Sequence, residues 1–419
     1  MVLTMDEDKM LMENVHLYIE GKHIKHVGDK LEAIEADKVI DAKGKLVIPG
    51  LINAHTHLAM SLFRNYGNDV GLETWLNDYI WPIEANLTPE DVYAGSLLSM
   101  AEMIETGTTS FVDMYYFMDE VARATEKSGM RGILTRGLTN PSQEILDGER
   151  EFYKKWQGAA DGRIEMMVGS HAVYTNDKHS LQKEIDLADE LGVGIHTHLN
   201  ESQTEVSDSL AANRMAPLEY VDTLGMLNSK TIAAHCVWLS DREKEIAIER
   251  RMSMVHNPSS NMKLASGFMQ TQHLIDLGIN VCIGTDGSSS NNTLDMFDEM
   301  RLASLIAKGS SLDPKSLSAK TVLKMATVNG AKAMGKEKEL GKIKAGYLAD
   351  LVLVDMDNLR HVPQNDIMAA LVYSTNGLDV DTTIVNGQIL YENKKHLTID
   401  VAALKDEINA RFNRLLEEK

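Results

Sequence analysis

Residues 51–57, Leu51-Ile52-Asn53-Ala54-His55-Thr56-His57, join a short apolar run to two histidines at its end. The run follows Pro49-Gly50, which is a turn signal, and it predicts a buried strand. Because side chains alternate along a strand, His55 and His57 point to the same side. The stretch is therefore a candidate for the first wall of a metal site, although a lone His-x-His pair also occurs as an ordinary core or surface pair.

Downstream of this strand, short β-rich segments recur between longer amphipathic helices, a rhythm typical of βα units on a parallel sheet. One helix is predicted to begin at Thr88-Pro89-Glu90-Asp91, which has the residue types of a helix cap, and to end at Gly107. Eight strands are predicted, at residues 51–57, 109–114, 131–137, 164–171, 193–199, 231–236, 253–256 and 280–286. Eight such units predict an α/β fold with a closed TIM-like (β/α)8 barrel.

Nearly every predicted strand finishes with a polar residue. These residues are His57, Asp113, Arg136, His171, His198, His235, His256 and Asp286. In a (β/α)8 barrel the carboxyl ends of all strands meet at one mouth, where active sites lie. The pattern therefore predicts a polar site at that mouth.

The two ends of the chain have a different pattern, with short strands predicted at 15–19, 39–40 and 46–48 and again at 342–344, 350–354 and 382–385. The last of these turns at Asn386-Gly387, a strong hairpin signal. The pattern predicts one small β domain made from residues 1–49 and 341–419, the latter with a C-terminal helix, around a barrel at 50–340.

Composition excludes several classes of function. The chain has 419 residues and a net charge of −20, an acidic surplus that disfavours nucleic acid and anionic membrane surfaces as partners. Two cysteines, Cys236 and Cys282, are too few for a disulfide framework, and no apolar run is long enough to span a bilayer. We expect a cytoplasmic protein that binds a neutral or zwitterionic small molecule.

Further candidate ligands follow in the later strands. In His196-Thr197-His198, His198 is nearer the mouth and is the better ligand candidate, whereas His196 is as consistent with a hydrogen-bonded structural role. His235 ends a strand alone, which for an isolated histidine favours a structural role. Asp286 leads into a loop of small residues, and by itself it could be only a helix cap.

Taken together, these histidines and Asp286 are more informative than any one of them alone. Three imidazoles and one carboxylate make a site for Zn²⁺ or a similar ion with water in an open position, and such an ion lowers the pKa of that water towards about 7. Glu201, three residues after His198, could face the water without being a ligand, or could be a solvated loop carboxylate. The sequence thus predicts a hydrolase with one divalent metal ion per subunit. It contains no Walker, Rossmann, His-Glu-x-x-His or Gly-x-Ser-x-Gly motif that competes with this interpretation.

With these residues in place, the chain resembles the amidohydrolase superfamily. The similar segments are Pro49–His57, His198–Glu201, Ala234–Cys236, His256–Asn261 and Gly284–Gly287. The resemblance implies a metal-bearing barrel paired with a β-sandwich built from both termini. No lysine ends a middle strand, where it could be carboxylated as a bridging ligand, so the members with one metal ion fit better than those with two.

Within the superfamily, the chain is similar to the 5'-methylthioadenosine/S-adenosylhomocysteine deaminases at Leu62–Asn65, Trp75–Glu84, Thr135–Gly137 and His171–Thr175. The resemblance implies a metal ion held by His55, His57, His198 and Asp286. It implies that Glu201, His235 and Asp286 are catalytic, and that substrate is bound by Glu84, Arg136, Arg150, His171, Glu201 and Asp286. Taken alone, Glu84 and Arg136 could instead be surface ion-pair partners, and Trp75 and Trp81 could stack on a purine or plug the mouth.

The implied reaction is zinc-dependent hydrolytic deamination of the adenine of 5'-methylthioadenosine and S-adenosylhomocysteine, which yields the hypoxanthine nucleoside and ammonia. Asp286 or His235 would accept the proton of water, Glu201 would protonate a ring nitrogen, and an arginine would pair with the α-carboxylate of the homocysteine moiety. The alternatives are a deaminase of 5'-deoxyadenosine, adenosine or guanine, a triazine chloro- or aminohydrolase, and, less consistent with the intact ligand set, a non-catalytic scaffold. A homo-oligomer is compatible with the sequence.

Overall fold

The structure of the protein is a computed structural model that describes residues 1–30, 35–228 and 230–419. Its centre consists of two parallel sheets whose strands follow chain order. The four-stranded sheet contains Leu51–Thr56 (β6), Thr108–Tyr115 (β7), Arg131–Arg136 (β8) and Ile164–Met166 (β9). The five-stranded sheet contains Val168–Ala172 (β10), Ile195–Leu199 (β11), Thr231–His235 (β12), Ser253–His256 (β13) and Asn280–Ile283 (β14).

These strands match the strands predicted from the sequence, with one difference. The predicted strand 164–171 is divided at Met167, because β9 pairs with β8 whereas β10 pairs with β11. Backbone hydrogen bonds also connect the two sheets directly. The amide of Asp286 donates to the carbonyl of His55 at 3.0 Å, and the amide of Leu138 donates to the carbonyl of Gly169 at 2.9 Å. The carboxyl ends of strands from both sheets are therefore neighbours.

Helices separate the strands along most of the chain. Their bounds are Leu72–Thr74 (α1), Trp81–Glu84 (α2), Pro89–Glu105 (α3), Met118–Ser128 (α4), Gln143–Trp156 (α5), Ala159–Gly162 (α6), Lys178–Leu191 (α7), Gln203–Asn213 (α8), Pro217–Thr223 (α9), Asp241–Arg250 (α10), Pro258–Lys263 (α11), Thr271–Asp276 (α12), Met296–Ser311 (α13), Ala319–Met325 (α14), Val328–Met334 (α15), Ile367–Tyr373 (α16) and Val401–Glu417 (α17). A π-helical turn, Trp75–Ile80, joins α1 to α2. No helix in the described part of the chain is long and apolar enough to cross a membrane.

A seven-stranded sheet combines both ends of the chain, as the strand patterns predict. It contains Val2–Leu3 (β1), Leu11–Met12 (β2), Lys45–Pro49 (β5), Leu351–Asp355 (β15), Val380–Val385 (β16), Gln388–Glu392 (β17) and Lys395–His396 (β18), in the order β18-β17-β16-β15-β5-β1-β2. The predicted hairpin turn lies between β16 and β17, where Asn386 and Gly387 have φ of 53° and 77°. His16–Glu20 (β3) and His23–Gly28 (β4) form a separate two-stranded sheet.

Two short predicted strands are not formed. In the predicted strand 39–40, Val39 is 84% exposed, and Ile40 packs against the core without a β ladder. In the segment 342–344, the ammonium groups of Lys342 and Lys344 lie 3.8 Å and 2.8 Å from carboxylate oxygens of Asp6. The amide of Ile343 donates to the carbonyl of Thr4 at 2.8 Å, and the Ile343 side chain is buried, so one backbone bond, apolar burial and ion pairs hold this segment against the N-terminus without a regular β ladder.

The predicted helix start at Thr88 is confirmed as the capping box of α3. The Thr88 hydroxyl accepts from the amide of Asp91, and the Asp91 carboxylate accepts from the amide of Thr88 at 2.8 Å. The same carboxylate is fully buried and is paired with Arg411, at 2.9 Å, and Arg414 of α17. One carboxylate therefore caps α3 and holds α17 against it.

We expect Asp91→Asn to lower the free energy of unfolding by about 2–4 kcal/mol at neutral pH, since it leaves two guanidinium groups without their buried partner. Burial opposes ionisation of Asp91, but its bonds from Thr88, Arg411 and Arg414 lower its pKa. A carboxylate with a lowered folded-state pKa stabilises the protein fully above its unfolded pKa of about 4 and loses this effect as the pH falls through the folded value. The difference between the two proteins in urea unfolding should therefore shrink in acid.

The matched control is Asp241→Asn, which removes a first-turn aspartate whose carboxylate pairs with Lys244 but is 96% exposed. This change should have little effect on unfolding at any pH. An Asp91→Asn difference that does not shrink in acid would contradict the assigned role of the charge.

Candidate active site

Four of the predicted site residues meet at the carboxyl end of the parallel strands. His55 and His57 at the end of β6 place their Nε2 atoms 3.3 Å and 3.2 Å from Oδ1 of Asp286, which follows β14. His198 of β11 places its Nε2 3.3 Å from Nε2 of His57. Residues from β6, from β11 and from the loop after β14 thus meet in one cluster.

The backbone near this group is held in uncommon conformations. Asp286 and His235 have positive φ values of 60° and 72°, in the left-handed region that non-glycine residues seldom adopt. The amide of Asp286 donates to the carbonyl of His55, and its own carbonyl accepts from the Thr56 hydroxyl at 3.0 Å. Such strain persists where surrounding contacts impose it, and it is concentrated at functional sites.

The ring nitrogens of the three histidines are oriented by their other contacts. Nδ1 of His57 donates to the carbonyl of Met114 at 2.5 Å, and Nδ1 of His198 donates to the carbonyl of His171 at 2.6 Å. Each of these rings therefore directs an Nε2 lone pair at the centre of the cluster. Nδ1 of His55 lies 2.9 Å from Nε2 of His196. This contact gives His196 a hydrogen-bonded structural role, which is one of the two roles that the sequence left open for it.

The donor set fits a single divalent metal ion. Nε2 of His55 is buried, and no hydrogen-bond partner for it is found among the described residues, as expected for a ring nitrogen that serves as a ligand. Candidate ligand atoms of His55, His57 and His198 lie within 4.8 Å of one another, and so do those of His55, His235 and Asp286. Imidazole nitrogens with one carboxylate oxygen are ligands that Zn²⁺ prefers.

The electrostatics of the cluster also favour a cation. Burial lowers the pKa of His55 to about 4 and that of His198 well below its usual value, so both rings are neutral ligands at pH 7. Burial opposes charge on His57, yet the bond and charge of Asp286 raise its pKa to about 9. Burial likewise opposes ionisation of Asp286, but its contacts with His55 and His57 hold its pKa well below the usual range. Positive charge is therefore stabilised beside Asp286.

Glu201 and His235 form a second pair next to this cluster. Oε2 of Glu201 lies 3.7 Å from Nε2 of His235, and both side chains are buried. Nδ1 of His235 donates to Oδ1 of Asn261 at 2.9 Å, which leaves the Nε2 lone pair directed at Glu201. The Ser266 hydroxyl donates to Oε1 of Glu201 at 3.2 Å. Burial raises the pKa of Glu201, although the neighbouring His235 opposes this effect, so this carboxyl can hold a proton.

A cavity extends from the cluster. Its polar lining includes His57, His198, Glu201, His235 and Asp286, together with the predicted substrate residues Glu84 and His171. An apolar wall comes from one chain segment, which contributes Leu72, Trp75, Leu76, Ile80 and Trp81. The mixture of polar groups and apolar surface in the lining suits a small organic ligand.

Glu84 and His171 have defined neighbours in the cavity. The Tyr115 hydroxyl donates to Oε1 of Glu84 at 2.5 Å, and burial raises the pKa of Glu84 to about 7. Nδ1 of His171 lies 3.0 Å from the Thr175 hydroxyl, and burial lowers the pKa of His171 to about 4. His171 is thus neutral at pH 7 and presents its other ring nitrogen to the cavity.

Two predicted substrate residues do not line the cavity. Nε of Arg136 lies 2.6 Å from Oε1 of Glu149 in α5, in an ion pair outside the cavity lining. Arg150 lies on the protein surface, where its guanidinium pairs with Asp147 at 2.9 Å and with Glu190 of α7 at 2.6 Å. The structure therefore does not place Arg150 at the site, because two nearby carboxylates hold it elsewhere.

Several residues that support the site were missed from the sequence. Hydroxyls of Ser260 and Ser290 donate to Oδ2 of Asp286 at 2.6 Å and 2.9 Å. Asn261 orients His235, and Tyr115 orients Glu84. Tyr115 could have been found as the last residue of the strand containing Asp113, at the edge where the other site residues end their strands.

Comparisons with known proteins agree with this geometry. The model of the amidohydrolase family matches residues 46–390. A 5-methylthioadenosine/S-adenosylhomocysteine deaminase of Caldanaerobacter subterraneus subsp. tengcongensis is 48% identical, over 99% of this chain and 97% of that protein. A 5'-deoxyadenosine deaminase of Methanobrevibacter smithii is 45% identical, over 96% of this chain and 93% of that protein. The crystal structure of an adenosine deaminase from Xanthomonas campestris with bound zinc superposes with a TM-score of 0.95, at 32% identity, over 99% and 97% of the two chains.

We expect the purified protein to bind about one zinc ion per chain, and His198→Ala to lose it, because the remaining ligands no longer surround the ion. His196→Ala should weaken zinc binding about 10–100-fold, since His55 would lose the partner that orients its ring. Competition with a zinc chelator, followed by elemental analysis of the protein, measures both effects.

The matched control is His256→Ala. His256 is a buried histidine at the end of β13 that belongs to neither group of candidate ligands. This variant should retain zinc at the level of the unmodified protein. Full zinc content in His198→Ala would exclude the assigned ligand set.

Proposed function

Because this chain belongs to the amidohydrolase family, we propose that it is a metal-dependent deaminase of adenosine analogues. It hydrolyses the bond between the adenine ring and its amino group in 5'-methylthioadenosine and S-adenosylhomocysteine and releases ammonia. The observation that carries this proposal is that the histidine and Asp286 cluster, Glu201 and His235 line the same cavity. The relatives at 48% and 47% identity that are named as deaminases of these two nucleosides support the choice of substrate.

In this proposal, His55, His57, His198 and Asp286 hold one divalent ion, most consistently zinc. When bound, the ion supplies a water molecule acidic enough to act as a nucleophile near neutral pH. The hydroxyls of Ser260 and Ser290 orient Asp286 by donating to its Oδ2, which leaves Oδ1 facing His55 and His57. The neutral rings of His55 and His198 contribute lone pairs rather than protons.

Glu201 and His235 move the protons in the proposed reaction. Nε2 of His235 takes a proton from water as the water oxygen bonds to the amine-bearing carbon, and Glu201 gives its proton to the adjacent ring nitrogen. The C–N bond then breaks, and the amino group leaves as ammonia with the proton returned by His235. Glu201 recovers a proton from the new hydroxyl group, which leaves the oxo form of hypoxanthine. The raised pKa of Glu201 supports its role as the initial acid.

The remaining polar residues of the cavity suit the sugar of a nucleoside. Tyr115 occupies Oε1 of Glu84, so the second oxygen of Glu84 can accept from a ribose hydroxyl. His171 can contact the same region with its free ring nitrogen. Trp75 and Trp81 offer aromatic faces for the purine at the apolar wall.

We also infer that the two parallel sheets close into one (β/α)8 barrel at residues 50–340. The backbone bonds between the sheets support this, and so does a buried apolar cluster that includes Ile52 and Val112 from one sheet and Ile232 and Val255 from the other. The segments 1–49 and 341–419 would then form the small β-sandwich. Its two layers would be the seven-stranded sheet and the β3-β4 pair, whose Ile24 packs with Val47, Leu351 and Ile384.

A second candidate substrate is 5'-deoxyadenosine. Relatives at 44–46% identity are named as deaminases of this nucleoside, and it needs the same ring chemistry. A cytoplasmic location and a homo-oligomeric state stay predictions from the sequence.

We expect Glu201→Gln to lower kcat by at least about 100-fold, because glutamine cannot transfer the proton to the ring. Ammonia release and the change in ultraviolet absorbance from adenine to hypoxanthine both report turnover of 5'-methylthioadenosine. Zinc content should be unchanged, since Glu201 is not in the proposed ligand set.

The matched control is Glu184→Gln, which alters another fully buried carboxyl group, on α7 and outside the cavity lining. It should keep the activity of the unmodified enzyme. If Glu201→Gln turns over substrate within about threefold of the unmodified enzyme, the acid is another group.

A further inference from the structure

The two carboxyl oxygens of Glu201 have different neighbours. Oε1 accepts a hydrogen bond from the hydroxyl of Ser266 at 3.2 Å, whereas Oε2 lies 3.7 Å from Nε2 of His235. Glu201 and His235 line the cavity, but Ser266 is not among the described residues that line it. Ser266 therefore contacts the carboxyl group of Glu201 from outside the cavity.

This contact bears on the position of the proton that Glu201 holds. A protonated carboxyl group carries its proton on one of two oxygens, and its terminal torsion is broad, so either oxygen can face the cavity. A hydroxyl that donates to Oε1 favours the form in which Oε1 is the unprotonated, accepting oxygen. The proton of Glu201 is then on Oε2, the oxygen nearer His235. The contact with Ser266 thus selects both the orientation of the carboxyl group and the oxygen that gives the proton.

Ser266 is itself held by two hydrogen bonds of its backbone. Its amide donates to the carbonyl of Asn261 at 2.9 Å, and its carbonyl accepts from the indole N–H of Trp238 at 2.6 Å. The side chain of Asn261 also accepts from Nδ1 of His235. One short segment, residues 261–266, therefore positions both members of the pair that Glu201 forms with His235.

Trp238 connects this segment to the strand end that carries Glu201. Its amide donates to the carbonyl of Asn200 at 3.0 Å, and its carbonyl accepts from Nδ2 of Asn200 at 2.9 Å. Its ring lies so close to Gly267 that a Cβ atom there would be 2.8 Å from a ring carbon, and Gly267 has a φ of 127°, in the region that favours glycine. Contacts on both sides therefore fix the indole that binds Ser266.

From these contacts we propose that Ser266 is a positioning residue for proton transfer by Glu201, and that Trp238 acts through Ser266. The Ser266 hydroxyl keeps Oε1 as an acceptor and the transferable proton on Oε2, and the indole N–H of Trp238 keeps this hydroxyl within reach of Glu201. The inference rests on the proposed function and adds to it two residues that are outside the described lining of the cavity.

Steady-state turnover of 5'-methylthioadenosine by the zinc-loaded enzyme tests the role of Ser266. Ser266→Ala should lower kcat about tenfold and leave KM within about twofold, since proton transfer is affected and the cavity lining is not. Ser266→Thr retains a hydroxyl and should recover kcat to within about threefold of the unmodified enzyme. The matched control is Ser209→Ala, which removes a buried hydroxyl on α8 that donates to the carbonyl of Met215 at 2.9 Å, and it should leave kcat unchanged.

A double-mutant cycle separates this role from a general loss of structure. In the Glu201→Gln background, Ser266→Ala should change kcat by less than about twofold, because the amide of glutamine has no acidic proton to place. An equal loss in both backgrounds would contradict the proposal. So would a Ser266→Ala enzyme whose kcat stays within about twofold of that of the unmodified enzyme.

Trp238→Phe tests the second step, because it keeps an aromatic ring and removes the indole N–H. It should lower kcat about threefold to tenfold and have no further effect in the Ser266→Ala background. The matched control is Trp156→Phe, which removes an indole N–H that donates to Asp119 at 2.8 Å, outside the cavity lining. An equal loss from Trp238→Phe in both backgrounds would show that Trp238 does not act through Ser266.

The same measurements distinguish failure of this inference from failure of the proposed function. If the unmodified, zinc-loaded enzyme releases ammonia from none of 5'-methylthioadenosine, S-adenosylhomocysteine and 5'-deoxyadenosine, the proposed function is wrong and this inference with it. If the unmodified enzyme is active and Ser266→Ala is equally active, only the role of Ser266 is wrong.

Discussion

The contact between Oδ1 of Asp286 and the rings of His55 and His57 is the constraint on which the site depends. It joins the ends of β6 and β14, the first and the last of the parallel strands. The hydrogen bond from the amide of Asp286 to the carbonyl of His55 fixes the position of one strand end relative to the other. Each imidazole can present Nε2 to this point only because its Nδ1 is bonded elsewhere, to a carbonyl or to His196. The fold thus supplies both the candidate ligands and the hydrogen-bond acceptors behind them.

Within this site, side chains of the same type have pKa values shifted in opposite directions, because their burial and their charged neighbours differ. Desolvation keeps His55 and His198 neutral, whereas Asp286 favours positive charge at the position of His57, which a bound metal ion would supply with His57 as a neutral ligand. Among the carboxyl groups, Asp286 is held ionised by its histidine neighbours, whereas Glu201 is shifted towards its protonated form. An ionised Asp286 can therefore lie near a Glu201 that holds a proton, because their surroundings shift the two pKa values in opposite directions.

The sequence predicts the parts of this arrangement that depend on local pattern. Strand alternation and polar strand ends singled out His57, His171, His198 and Asp286, which the structure brings to one cavity, and the family resemblance added Glu84. The pattern could not show where Arg136 and Arg150 point, because their partners Glu149 and Glu190 lie on helices whose packing is set by the tertiary fold. The division of the strand at 164–171 and the absence of strands at 39–40 and 342–344 have the same origin, since both depend on which neighbours a short segment finds.

The segment that forms the apolar wall lies entirely within the connection between β6 and α3. Apart from His57 at the start of that connection, the candidate metal and proton-transfer residues come from the strands and from other loops. Mutations in this one connection can alter the shape of the outer cavity while the ligand geometry is inherited intact. A gene lineage could in this way acquire a new nucleoside preference in a few steps, with no intermediate that has lost its chemistry. The shape of the outer cavity and the geometry of the candidate metal site are thus set largely by different parts of the chain.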